Sequence, residues 1–465
     1  MRQTVRLELK PLPAMAILSL CFLTLRGFDA VPRFSDGAIY LYMSTLLNDG
    51  ILPYKEFFFA HPPLQLVFLS PISLLFGDNF FMTHMSLQLL LVANAWVLYF
   101  ISKKFCTAVT SLLAPLLYLF SYSIPATGAH WTGVHLSVLL VLSSLLLYLN
   151  NRTLLAGIVA GLALFTRYYT LIPLLGMCAG AAAQDARKAL HTAAISAGLV
   201  LIAILMLLPL GFEAYWEQTV NYHLNKIEGI PKSRVLLFFA SHDWLLLLGL
   251  VVGMQAFRDR TYWLVLFPQF SLLVFYLIFA DIYYYYLVLI VPFLVLNLVH
   301  FVDRTDWKNR RNVQWVFAIL VAVYLMSSNF RYLTGHARID NFNQLDELAQ
   351  WISDNTASGD SIYGAAGITP LIALHSGVPI TGRFVDTNPK TFLAGAASLS
   401  IREEQLLEMG LKYFVTPAFV QGPDVSGLER YAEISFFESN CQPAHTSPLE
   451  NSYVGNTLII WDCKR

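Results

Sequence analysis

The sequence predicts an α-helical polytopic membrane protein with a C-terminal extracytoplasmic α/β domain. Three observations lead there. Hydrophobic residues make up 56% of the chain and charged residues only 13%, against roughly 25% charged in a soluble domain. Apolar runs near the ~20 residues that cross a bilayer recur through the first 330 positions. After them the chain turns hydrophilic and reads as short helices and strands. A formal net charge of zero argues against a nucleic-acid partner, whose phosphates call for a basic surplus.

In chain order, hydropathy places about 11 transmembrane helices, near 12–28, 80–102, 106–122, 131–149, 153–168, 169–183, 190–210, 243–257, 261–280, 283–301 and 312–330. The first is read as a span, because no small-residue cleavage site follows it. The run 64–76 is too short and too broken by Pro71, so it is read as a juxtamembrane or re-entrant helix. That choice sends Lys103, Lys104, Arg187, Lys188, Arg258, Arg260, Arg310 and Arg311 to the cytoplasmic side with the N-terminus. Making 64–76 cross would move every one of those later clusters outside. The expected division is a membrane domain over 1–335, with large outer loops 29–79 and 211–242, and an extracytoplasmic α/β domain over 336–465.

Within the tail, a helical pattern covers Phe342–Ser353, and strands are expected near Ser361–Tyr363, Lys412–Thr416 and Tyr453–Trp461. Cys441 and Cys463 are its two cysteines; a disulfide and two free thiols are both open readings. No Cys/His spacing suits structural zinc.

The first outer loop concentrates chemistry. Asp36, Glu56 and His61 fall within the run 35–64, among aromatics and prolines. Asp36 alone reads as a helix N-cap. With Glu56 beside it, the loop could supply a general base or ligate a divalent cation through Asp36 and Glu56. His61, fixed in extended backbone by the prolines that follow, either shapes the turn or lines a site.

Cations and phenols complete the set. Arg167 lies in an apolar helix at a cost of ~2.5–3.5 kcal/mol at a membrane centre, less near the interface. It is either a snorkelling residue or a ligand for phosphate, which a guanidinium grips bidentately. Lys226 and Arg234, in the second outer loop, are further candidates for a donor phosphate, against the reading of a solvated loop. Tyr283 to Tyr286 point all round a helix, so at least one should face the interior; Tyr284 and Tyr285 are the candidates.

These residues resemble the GT-C superfamily of polyprenyl-phosphate-sugar-dependent membrane glycosyltransferases, in particular the group with protein O-mannosyltransferases and lipid A aminoarabinose transferases. The resemblance is carried by Asp36, Tyr40, Gly50, Pro53-Tyr54, Glu56 and Pro62-Pro63-Leu64, with GLALFTRYYTLIPLL and YYYYLVLIVPFLVL further on. It implies an inverting transferase that moves a sugar from a polyprenyl phosphate to an acceptor hydroxyl at the extracytoplasmic face. Asp36 would be its base, Glu56 its second acid and Arg167 its phosphate ligand. The acceptor is a protein, a lipid or a glycan. The first loop lacks the paired acids of some relatives, which leaves Mg or Mn dependence open. Two other classes compete: a transporter or flippase of lipid-linked sugars, and a non-enzymatic scaffold.

Overall fold

The computed structural model describes the chain except for residues 1–10, 78, 208–210, 226–229, 280, 307–310, 336–341, 389, 392–404, 422–423, 427, 429–433, 451 and 464–465. Its first half runs α1 (Pro11–Gly27), α2 (Asp36–Asn48), α3 (Leu64–Phe76), α4 (Phe80–Ser102), α5 (Leu113–Leu119), α6 (Ser123–Thr127), α7 (Val134–Leu149), α8 (Thr153–Leu164) and α9 (Leu171–Leu207). Next come α10 (Phe212–Trp216), α11 (Tyr222–Asn225), α12 (Lys232–His242), α13 (Trp244–Gly253), α14 (Trp263–Ile278), α15 (Tyr284–Leu287), α16 (Val291–Arg304) and α17 (Arg311–Thr334).

The chain is a multi-pass membrane protein. Among the described residues, five helices are long and apolar enough to cross a membrane, or six if α12 and α13, bent by 93°, count as one span. The eleven predicted segments are distributed differently from expectation. Two of them merge in α9, interrupted at Asp185, where the backbone is extended. The segments at 12–28, 106–122, 131–149 and 153–168 form apolar helices of 10–17 residues. The helix from Thr110 to Leu119 rises only ~15 Å, half the hydrocarbon thickness. The juxtamembrane segment is α3, a short helix with Pro71 inside it.

The C-terminal part holds α18 (Leu345–Asp354), β1 (Ser361–Gly364), α19 (Thr369–Ser376), β2 (Leu411–Gln421), β3 (Asp424–Ser426), β4 (Cys441–Pro448) and β5 (Thr457–Cys463). The sheet order is β1-β2-β5-β4, with β3 paired to β2 off that path. β1 and β2 are parallel and the other pairs antiparallel. Cys441 and Cys463 face each other in register and form a disulfide.

This part sits on α2. Ile39, Met43 and Leu46 of α2 share one buried cluster with Leu371, Ile372, Ile380 and Val415. Each such side chain contributes roughly 1.5–3 kcal/mol when fully buried. Ile380 N–H donates to Tyr42 Oη at 3.0 Å, and Phe342 N–H to the Pro32 carbonyl at 2.9 Å. Gly367, at φ 77°, lies so close that an added Cβ would stand 3.0 Å from the Ser35 backbone. The C-terminal part therefore presses directly on the start of α2.

Candidate functional site

The site is built outward from that helix start. Ser35 is the N-cap of α2, its hydroxyl accepting the Gly37 N–H at 3.1 Å. The capping reading of Asp36 is thus corrected: the neighbouring serine does that work. Asp36 stands in the first turn, where the helix dipole favours its negative charge. Gly37 lets α2 approach the segment before α7, since a Cβ there would lie 2.7 Å from Trp131 N. That approach brings Asp36 and Thr132 to one cavity of about 340 Å³.

Four predicted residues meet there: Asp36, His61, Arg167 and Tyr285. Arg167 sits at the break between α8 and α9 and is only 4% exposed. Its Nη2 donates to the Thr132 carbonyl, and its guanidinium lies 5.4 Å from the Tyr40 ring centroid. The Nε of Arg167, the Thr132 hydroxyl and the Tyr169 hydroxyl are all buried with no hydrogen-bond partner among the described residues. All three residues line the cavity. Buried donors of this kind cost roughly 1–3 kcal/mol each unless something accepts from them.

The loop carrying His61 is held in a fixed shape. Tyr54, at φ 68°, occupies the left-handed region, which costs a non-glycine residue of order 1–2 kcal/mol. Its hydroxyl donates to the His61 carbonyl at 2.6 Å, and its own carbonyl accepts from Gln218 Nε2 at 2.8 Å. His61 Nε2 is hydrogen-bonded to Tyr40 Oη at 3.0 Å and its ring stacks on His223 at 5.2 Å. His223 Nε2–H donates to the Ala60 carbonyl at 2.8 Å, so His223 also fastens the loop.

The sequence reading did not reach the contribution of the C-terminal part. Asp386, Asn388 and Lys390 line the same cavity. Two successive turns shape their segment: Asp386 Oδ1 accepts from Asn388 N–H, and Asn388 Oδ1 from Lys390 N–H, both at 3.1 Å. Lys390 Nζ lies 3.4 Å from each carboxylate oxygen of Asp281, which is itself buried just ahead of α15. Burial raises the Tyr40 phenol far above its ordinary value; Arg167 opposes the rise, while Asp36 and Asp386 add to it. Burial also raises Tyr222, with Asp386 and then Asp36 reinforcing it. Both carboxylates therefore act on the same phenols. Tyr222, His223, Tyr283 and Tyr286 complete the aromatic lining; the Asp/Asn-rich turn and the tyrosine run were the visible signals.

Other predicted residues lie elsewhere. Glu56 lines a separate open cleft, where its carboxylate accepts from Leu52 N–H at 2.8 Å and pairs with Arg383 Nη1 at 2.8 Å. Those two contacts hold its pKa below the ordinary glutamate range. The pairing of Asp36 with Glu56 as metal ligands does not fit this arrangement, because the loop turns their side chains into different cavities. Among the described residues, no group of three or more His, Cys, Asp or Glu side chains could hold a metal ion. Tyr284 does not line the cavity and packs against Phe238, with ring centroids 4.6 Å apart. Arg234 is exposed on α12, outside the cavity lining. Lys226 lies outside the described residues.

No family model matches the chain, and no curated protein matches it by sequence. Solved structures match it by shape. ArnT from Cupriavidus metallidurans bound to undecaprenyl phosphate superposes with a TM-score of 0.72 at 11% identity, over 97% of each chain. The same protein in its apo state gives 0.71 at 13% identity, over 97% of this chain and 98% of that one. The archaeal oligosaccharyltransferase AglB from Archaeoglobus fulgidus, in complex with an inhibitory peptide and a dolichol-phosphate, gives 0.57 at 12% identity, over 88% and 69%. At these identities the likeness is one of fold. The fold is that of the GT-C glycosyltransferases, the superfamily to which the first-loop motif pointed.

Proposed function

We propose that the chain is an inverting glycosyltransferase. It moves a sugar from a polyprenyl-phosphate donor to an acceptor hydroxyl, in the cavity that Asp36 and Arg167 share. The observation that carries this reading is the set of three unpartnered buried donors, Arg167 Nε, Thr132 Oγ1 and Tyr169 Oη. A phosphate oxygen is the acceptor such a set lacks. The fold relatives add weight, since ArnT was solved with undecaprenyl phosphate and AglB with a dolichol-phosphate.

In the reaction, Asp36 takes the proton of the acceptor hydroxyl. A bond forms between that oxygen and the anomeric carbon while the bond from the anomeric carbon to the phosphate oxygen breaks. The electron pair leaves with the phosphate, where Arg167 and the two hydroxyls stabilise the developing charge. Attack opposite the leaving phosphate inverts the anomeric centre. No step is routed through a metal. The positive-inside distribution of Lys and Arg supports an extracytoplasmic cavity, with the C-terminal part on the same side and the N-terminus in the cytoplasm. A transporter would be expected to keep its charged groups near the membrane midplane in broken, repeated helices, whereas Asp36, Asp386 and Lys390 lie where the C-terminal part meets the bundle.

Purified Asp36→Asn protein tests this reading. Release of polyprenyl phosphate from a polyprenyl-phosphate sugar should fall by about 10²–10⁴, the usual worth of a general base, while donor binding persists. Unchanged turnover in that variant would overturn the transferase assignment.

A further inference from the structure

His61 lines the cavity but has no part in the chemistry assigned to Asp36 and Arg167. Its loop is nevertheless tied down on several sides. Gln218 bridges the loop, its Nε2 donating to the Tyr54 carbonyl at 2.8 Å and its Oε1 accepting the Phe59 N–H at 3.0 Å. Phe59, fully buried, packs edge-on to Tyr40 and to His61, with ring centroids 6.0 and 5.8 Å away. Past the two prolines, the Leu64 N–H donates to the Phe165 carbonyl at 3.1 Å, two residues before Arg167. Gln218 itself lies in a π-helical turn, Glu217–Asn221, between α10 and α11. Such wider turns are rare and often mark functional sites. This one sets Gln218 against the loop while Tyr222 and His223, four and five positions on, line the cavity. The second outer loop thus holds the first in place.

What the loop presents is His61 Nε2, 3.0 Å from Tyr40 Oη. Tyr40 in turn faces Arg167, whose guanidinium carbon stands 5.4 Å from the ring centroid, within cation–π range. The Thr132 carbonyl is a second hold on that guanidinium. Burial keeps the Tyr40 phenol protonated, so it has a hydrogen to donate to an imidazole nitrogen. A guanidinium carries donors only. A Tyr40 hydroxyl that donates to His61 therefore leaves its oxygen lone pairs, and not its proton, for Arg167.

We infer that His61 is a positioning residue for Arg167 and acts through Tyr40: its Nε2 accepts the phenol's hydrogen bond, which holds the ring against the guanidinium and keeps Arg167 Nε aimed at a donor phosphate. The inference rests on the phosphate reading of the cavity and adds the order in which its residues act. Gln218 and Tyr54 fix the loop, the loop fixes His61, and His61 fixes Arg167. A direct phosphate ligand would have to be a cation or an N–H donor, whereas this relay needs an acceptor at Nε2. A misplacement of about 1 Å in such a site costs up to ~10²-fold.

Affinity for undecaprenyl phosphate, measured by native mass spectrometry on the full-length protein in nanodiscs, tests the relay. His61→Ala and Tyr40→Phe should each weaken binding about tenfold. The double variant should bind no worse than the weaker single, since both changes break one relay. His61→Gln, whose amide oxygen can still accept from Tyr40, should restore most of the loss, and His61→Lys, which can only donate, should match His61→Ala. Unchanged binding in either single variant, losses that multiply in the double variant, or His61→Lys binding as tightly as His61→Gln would each overturn the inference. If His61→Ala fails to fold, His61→Gln and His61→Lys decide. A wild type without affinity for undecaprenyl phosphate would overturn this inference and the phosphate reading together. The expected pattern alongside full turnover in Asp36→Asn would sink the transferase reading alone and leave the relay standing.

Discussion

The cavity that Asp36 and Arg167 share and the open cleft of Glu56 are lined by the same three segments, α2 with its C-cap, the first loop and the stretch 383–390, yet they are different chemical environments. In the cavity, Arg167 is buried, the phenols crowd together, and three polar atoms have no protein partner. In the cleft, the principal charges are already paired with each other and exposed to water. Charges acting in a water-excluded pocket are worth several times what they are worth at a surface. Two acids twenty positions apart, one in the first turn of α2 and one on the loop after it, thus face different environments.

The sharpest test of that contrast sets Asp36→Asn beside Glu56→Gln. The first should cost about 10²–10⁴ in turnover, and the second no more than severalfold; equal losses by steady-state assay would erase the distinction. Arg167→Lys comes next. A lysine cannot hold the Thr132 carbonyl and present a second planar N–H to the cavity, so kcat/KM should fall by about 10². Lys390→Met should cost about tenfold, because Lys390 reaches the cavity already paired with Asp281. The smallest effect is a pH dependence in the cleft. Glu56 has a depressed pKa, so its pair with Arg383 is fully present above the ordinary glutamate value of ~4.3 and is lost as pH falls through the lowered one. The thermal midpoint of the purified protein should stay flat down to about pH 5 and fall slightly only below the ordinary glutamate range, and Glu56→Gln should remove that fall.

Much of this was legible in the sequence. Apolar runs located the helices, and alternation located β1, β2 and β5, because those signals are local. β4 was missed since Pro443 and Pro448 argue against a strand; at the sheet edge, where β4 lies, proline is tolerated. The ionisable residues of the first loop pointed to Asp36, His61 and Glu56, and the membrane arginine to Arg167. Nothing local could show that Glu56 turns away from Asp36, since that follows from its contacts with Leu52 and with Arg383, distant in sequence. Nor could a run of four tyrosines reveal that Tyr284 packs outward on Phe238 while its neighbours line the cavity. Asp386 and Lys390 look like ordinary turn residues until the fold carries them back to α2.

That return has a consequence for biosynthesis. Asp36 leaves the ribosome long before Lys390, the lysine that meets Asp281, has been made. A nascent chain already inserted in the bilayer therefore lacks one wall of its pocket until Asp386 and Lys390 have been added.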